Sequence, residues 1–282
     1  MPTPARSHRP LLGIALMCVA GTALPFMNGF AKLLAATYPP EQIVWARFAG
    51  HLIWVLILFL PRNGLALLRA TRPTAQLGLS LFMLISSTVF FVALPHLGLA
   101  KASVINSVSP FLVMLLAWPM LGERVVLDRF IAVLIGFIGV VVVIRPGGEF
   151  FSWASMEILV SAVFYALYQV LTRMVAGHDR PETSIVYNVL AGTIVLSLAV
   201  PWFWVAPKSW ADAALLASLG LIGAFGHYCL ARAMTYAAAS VISPFNYWQF
   251  VGSVAIGYVL FGDLPDSWTW TGAAIIITAG LY

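Results

Sequence analysis

A few ionisable and amide side chains stand inside long apolar stretches of this 282-residue chain, and its chemistry is to be sought there. Arg47 lies six residues beyond Glu41, with His51 one helical turn further on. If these stretches cross a bilayer, an ionised group at mid-depth costs about 2.5–3.5 kcal/mol on insertion scales, so each needs a reason. For Arg47 two reasons stand open: it holds the carboxylate of a bound molecule, or it pairs with a helix end or neighbouring carbonyl and locks the packing. Asn106 follows Ser103 by three residues and precedes Pro110 by four, which puts all three on one face of a helix. Asn246, Gln249 and Ser253 repeat that spacing. Proline removes a backbone donor and frees carbonyls, which then need a partner from a neighbour, a water or a ligand. These faces either line a cavity or glue helices together, at about 0.6 kcal/mol per bond.

Tyr165 and Gln169 lie one turn apart, as do Asn28 and Lys32. Tyr168 and Trp248 offer planar surfaces that stack on a ring or cover an ammonium, or else pack as ordinary aromatics. His227, followed by Tyr228 and Arg232, is a candidate titratable gate or proton carrier, with a hydrogen-bonded structural histidine as the alternative. No Asp or Glu falls in the middle of an apolar span; Glu157 and Asp212 lie near span ends. That argues against a carboxylate proton relay and leaves facilitated export, exchange or His-based coupling. Enzyme signatures are missing: no phosphate-cradling Gly loop, no His-Glu-x-x-His, no Cys/His metal spacing.

The elements that must position these residues are membrane helices. The chain is 61% hydrophobic and 9% charged, where soluble domains run to about 45–50% apolar and about 25% charged. A soluble core has no room for so much apolar side chain. The net charge of +5 does not point to nucleic acid, because the basic residues are scattered at span ends. Cys18 and Cys229 stand alone inside apolar runs, which argues against a disulfide or metal framework. Ten spans are expected, near 11–36, 42–60, 75–97, 101–120, 126–145, 153–174, 184–205, 211–232, 238–261 and 267–282. Residues 1–35 lack a small-residue cleavage site after their apolar run and are expected to be a retained first helix, not a signal peptide. The last span stops at Tyr282 without a basic tail, so further C-terminal residues are expected. With the N-terminus inside, ten Lys and Arg residues fall on inner segments (Arg6, Arg124 and Arg129 among them) and four on outer ones, which predicts N-in and C-in. Trp153, Trp202, Trp204, Trp210, Trp268 and Trp270 all fall at the predicted outer interface.

The spans repeat. At an offset of 141, Lys32 falls on Arg173 and Glu41 on Glu182; at 140, Ser103 falls on Ser243, Asn106 on Asn246, Gly122 on Gly262 and Glu123 on Asp263 (Ser240-Val-Ile offers a competing match to Ser103-Val-Ile). Residues 1–145 and 146–282 thus read as two five-span repeats, and because five is odd the second sits inverted. Duplicated apolar spans broken by Pro near mid-membrane mark a binding site between inverted repeats, the architecture of alternating access.

The motifs are Trp45-Ala-Arg47-Phe, Ser109-Pro110-Phe through Leu121-Gly122-Glu123, Ile135-Gly-Phe-Ile-Gly139, Gly226-His-Tyr-Cys-Leu-Ala-Arg-Ala233, Ser243-Pro-Phe-Asn-Tyr247, and Phe261-Gly-Asp263 through Gly272 to Gly280. Over essentially the whole chain they resemble the drug/metabolite transporter superfamily, specifically bacterial proteins of two EamA domains. The resemblance implies an all-α, ten-helix secondary carrier of small organic metabolites in the bacterial inner membrane, often an exporter. Family members include exporters of amino acids and uptake carriers for riboflavin or S-adenosylmethionine. The family commonly carries an Arg in the second span, which favours a structural role for Arg47, and Asp263 stands where the motif usually has Glu. The expected function is export of small polar, amino-acid-like metabolites by rocking of the two halves. Uptake of an aromatic or nucleotide-like cofactor is the alternative, and a lipid scramblase or non-transporting scaffold the reading from another class. Substrate is expected against Asn28, Arg47, Asn106, Tyr165, Gln169, His227, Asn246, Tyr247, Trp248 and Gln249, with no cofactor, no metal, no nucleic acid, and a monomer or weak dimer in the bilayer.

Overall fold

The computed structural model describes residues 9–122, 127–147, 151–175, 178–236 and 243–281, and these residues are helical with short links. The expectations for Arg6, Glu123, Arg124, the Arg129 side chain and Ser240 lie outside the described residues. In chain order the helices are α1 (Pro10–Leu34), α2 (Pro40–Asn63), α3 (Pro73–Ala93), α4 (Leu99–Asn106), α5 (Ser109–Leu121), α6 (Leu127–Ile144), α7 (Trp153–Val175), α8 (Pro181–Ala199), α9 (Trp210–Tyr236), α10 (Trp248–Phe261) and α11 (Ser267–Leu281). Proline starts α1, α2 and α3, where its missing N–H has no intrahelical acceptor to serve. Gly122 and Gly262 end α5 and α10 in the left-handed conformation, at φ 70° and 68°. The two exits that match in sequence thus match in backbone.

Seven segments among the described residues are long and apolar enough to cross a bilayer, the helix pair α4–α5 counting as one (Leu99–Leu121). Helices α6, α10 and α11 are shorter, at 18, 14 and 15 residues, so the expected count of ten is met in full length by seven. Large apolar side chains such as Leu11, Ile57, Leu198 and Val259 face outward, as lipid-facing positions must. This is an all-α, multi-pass membrane protein.

The break in the fourth span falls before Pro110, not at it. Ser107 and Val108 leave the helix, Ser109 Oγ donates to the Asn106 carbonyl at 2.7 Å, and Pro110 sits exposed in the first turn of α5. Asn106 and Pro110 therefore belong to different helices and do not share the continuous face expected of them. In the second copy a 3₁₀ turn, Ser243–Tyr247, precedes α10 at the matching place.

Helix packing follows a twofold exchange of the first five spans with the last five. Helix α1 packs on α9 as α3 packs on α7; α2 on α9 as α3 on α8; α1 on α10 as α7 on α4 and α5. The pairs α2–α8, α6–α11 and α4–α10 map onto themselves. Two four-span bundles result, α1, α2, α9, α10 and α3, α4–α5, α7, α8, with α6 and α11 as a separate pair. Each bundle draws on both halves of the chain, so the halves interleave and do not stand as two separate bodies of the kind expected to rock. The cause is small-residue contact between halves, which lets backbones approach in lipid. Gly50 of α2 meets Gly220 of α9 so closely that a Cβ added at Gly220 would collide with the Gly50 backbone. On the other side Ser86 and Ser161 of α3 and α7 donate to each other's carbonyls at 3.0 and 2.8 Å.

Links between helices are tied at both ends of the molecule. Tyr38 donates to Asp212 at 2.6 Å and accepts from the Lys208 N–H at 2.8 Å. Its counterpart at an offset of 141 is Asp179, which accepts from Gln76 Nε2 at 2.8 Å and from the Thr71 N–H. Lys32 Nζ donates to the Leu97 carbonyl at 2.7 Å and lies 3.3 Å from Asp263, joining α1 to the links around it.

Candidate functional site

Where the two bundles face each other, α2 carries Arg47 into the interior. Its side chain is 6% exposed. One Nη donates to Ser87 Oγ on α3, across the bundle boundary. The other lies 3.2 Å from His227 Nε2 on α9. A guanidinium only donates, so His227 Nε2 accepts and that ring is neutral, its proton on Nδ1. The cation also sits over two rings, with Cζ 5.3 Å from the centre of Phe48 and 5.5 Å from that of Phe91. The phenols of Tyr165 and Tyr168 on α7, stacked at 5.6 Å, lie within electrostatic reach.

What Arg47 lacks is an anion. Among the described residues the ion pairs are Lys32–Asp263 and Arg145–Asp266, and neither touches it. Its Nε–H is buried without an acceptor. His51, one turn along α2, is 1% exposed, has neither ring nitrogen partnered, and stacks on His227 at 5.9 Å. A buried charge is normally paired, and buried polar groups are normally bonded. This cluster offers a two-pronged donor with a free N–H and two buried imidazoles beside it, groups that could receive a carboxylate.

The repeat runs through the site. Ser87 and His227, the two partners of Arg47, are counterparts at an offset of 140. The counterpart of Arg47 itself, at 141, is Asn188 on α8, which is 3% exposed with Oδ1 unpartnered. Ser87, Phe91 and Asn188 were not among the residues expected from sequence. The offset was the signal that points to Ser87 and Asn188; Phe91 had none.

Of the expected residues, Arg47 and His227 meet directly and Tyr165 lies within electrostatic reach of them. Asn28, Asn106, Gln169, Asn246 and Gln249 are half-buried on α1, α4, α7, the 3₁₀ turn and α10. Tyr247 is buried elsewhere, packed on Gly280 among Val104, Ser107 and Ile276. Trp248 points outward, 45% exposed, its Nε1 donating to Thr22 at 3.0 Å beside an apolar groove of about 410 Å³. The structure does not bring these two to Arg47.

The family model of the EamA-like transporter family matches residues 11–145 and 152–282. The chain belongs to the EamA-like transporter family. Relatives of this EamA-like chain include a riboflavin transporter of Vibrio cholerae, 29% identical over 96% of this chain and 92% of that one. The pseudopaline exporter CntI of Pseudomonas aeruginosa is 28% identical over 95% and 94%. An S-adenosylmethionine uptake transporter of Rickettsia prowazekii is 26% identical over 89% and 85%. A solved crystal structure shares the fold with a TM-score of 0.67 at 21% identity, over 98% of this chain and 95% of its own. The protein is therefore a small-molecule transporter, and the relatives named here are likewise transporters, not enzymes.

Proposed function

We propose that this EamA-like protein carries small carboxylate-bearing polar metabolites, amino-acid-like compounds first among them, by alternating access between its two bundles in the bacterial inner membrane. The observation that carries this reading is the buried Arg47 guanidinium, with one N–H unpartnered and no carboxylate beside it among the described residues. A substrate carboxylate would take two parallel N–H donors of the fork. The free Nε–H and the Nη–H now facing His227 form that edge, while the other Nη keeps its bond to Ser87 Oγ, which ties α2 of one bundle to α3 of the other, so a bound carboxylate sits against a contact between the two bundles. Both termini are assigned to the cytoplasm on the Lys and Arg asymmetry. Export is the direction expected from the family resemblance, net flux following the gradients.

A second reading, uptake of an aromatic or nucleotide-like cofactor, is favoured by the stacked Tyr165 and Tyr168 on α7. A thermal-shift screen of the purified protein against amino acids, flavins, purines and polyamines separates the two. A ligand at about 100 times its dissociation constant adds about 2.7 kcal/mol of stability. Amino acids that stabilise the wild type but not Arg47→Gln support the first reading. Stabilisation by flavins or purines alone selects the second, and stabilisation by nothing overturns both.

A further inference from the structure

We propose that His227 and His51 form a proton site that fills together with the carboxylate at Arg47, so that proton and carboxylate travel as cotransported cargo. This rests on the carboxylate reading above and goes beyond it, to the energy source; with the bacterial proton gradient directed inward, the coupled cycle runs as uptake and not in the export direction that the family resemblance implies.

The argument starts from the one hydrogen bond that His227 Nε2 accepts. While Arg47 donates to that nitrogen at 3.2 Å, its lone pair is occupied and the ring stays neutral. A carboxylate arriving on the fork takes that N–H. The Nε2 lone pair then faces carboxylate oxygen, two acceptors in a buried place, a costly arrangement. A proton from the water that admits the substrate resolves it: the Nε2–H bond forms, and the imidazolium donates to the carboxylate. The site then holds one anion and one proton more than before, and its net charge is unchanged. On release the carboxylate leaves, the proton returns to water on the far side, and Arg47 donates to Nε2 again. His51, stacked on His227 with both nitrogens unpartnered and 1% exposed, is the second buried imidazole able to share the charge.

Other groups facing the pair leave histidine as the titrating element. On α2 the charge is Arg47 itself; on α7 the phenols of Tyr165 and Tyr168 are within its electrostatic reach. Helix α3 contributes Ser87 and holds no ionisable side chain. On α8 the Asn188 amide is buried, Tyr187 donates to the Leu68 carbonyl at 3.1 Å, and Glu182 sits in the first turn. The one charged side chain of α1 is Lys32, held by Leu97 and Asp263. On α9, Arg232 bonds Tyr236 at 2.7 Å, and Tyr228 is outward-facing. Of these groups, imidazole is the one whose ordinary pKa lies near neutrality.

The test uses the full-length chain in proteoliposomes, with the membrane potential clamped by potassium and valinomycin and pyranine inside. The probe is a mixture of radiolabelled proteinogenic amino acids added outside. Proton and label influx are expected at a ratio of about one, and an outside acid by one pH unit is expected to accumulate label about tenfold. His227→Gln and His51→Gln are expected to slow label influx and drop the ratio toward zero, with accumulation lost. Label influx without protons and without accumulation in the wild type overturns the coupling, a tautomer exchange on His227 then sufficing, while the carboxylate reading stands. No influx of any label overturns the carboxylate reading and the coupling with it. If either variant fails to fold, the wild-type ratio decides alone.

Discussion

Replacing Arg47 by Met separates a substrate group from a packing lock. Placing an Arg at the centre of a membrane helix costs about 2.5–3.5 kcal/mol. Against this stand two hydrogen bonds, to Ser87 and His227, at about 0.6 kcal/mol each. The two ring contacts, with Phe48 and Phe91, add about 0.5–1 kcal/mol each. The two sides nearly cancel. Arg47→Met, of similar length and without a charge to desolvate, is therefore expected to change stability by less than about 1 kcal/mol in either direction, a few degrees in Tm at most. Transport in proteoliposomes is expected to fall to background in the same variant, because the fork is gone. Arg47→Lys keeps the charge, loses the planar fork, and is expected to transport at a tenth of the rate or less. A lock whose loss leaves Ser87 and His227 unpartnered costs about 1–3 kcal/mol for each instead. An Arg47→Met protein destabilised by that much, measured by thermal unfolding in detergent, would refute the carboxylate assignment.

Three further outcomes follow from the packing and the links. Gly220→Ala drives a Cβ into the Gly50 backbone, which cannot give as a side chain can, so it is expected to cost about 1–3 kcal/mol; Gly98→Ala, with open space around it, is the control and should be neutral in the same unfolding assay. For Asp179, burial pushes the carboxyl pKa up, and hydrogen bonds from Gln76 and Thr71 outweigh this and hold it below the ordinary value of 3.8. A depressed folded pKa gives stability that is present above the unfolded value and lost as pH falls through the folded one. The wild type should therefore lose Tm below about pH 4 more steeply than Asp179→Asn, and parallel curves would dismiss the contact. A disulfide between Cys replacements at Ala23 and Gly226, whose Cβ positions are 3.8 Å apart, joins α1 to α9 with Cys18 and Cys229 removed. It links the two halves of the chain within one bundle, so transport should survive oxidation; loss of transport restored by reductant would mean that α1 and α9 move apart.

What the sequence made legible and what it hid have one physical cause. Span positions were readable because runs of apolar residues end at Pro and Gly, and Gly122 and Gly262 matched in backbone as in register. Helix rotation was not, because a membrane span is apolar toward lipid and toward protein alike. Hence Trp248, expected at the substrate, turned outward to the groove beside Thr22, and Tyr247 turned toward Gly280. Helix partnering was hidden for the same reason: only small residues such as Gly50, Gly220, Ser86 and Ser161 mark which surfaces touch, and they are common in every span. The repeat offset is the information that escapes this degeneracy. It pairs Ser87 with His227 and Arg47 with Asn188, so four positions on α2, α3, α8 and α9 follow from Arg47 and His227 once the register is known. It also shows where the halves have parted. A site built on an exact twofold would present the same group from α2 and α8; here one side presents a cation and the other an amide. On the proposed carboxylate reading, the charge of the cargo would be read from one side, and substrate orientation would follow from that asymmetry and not from the fold.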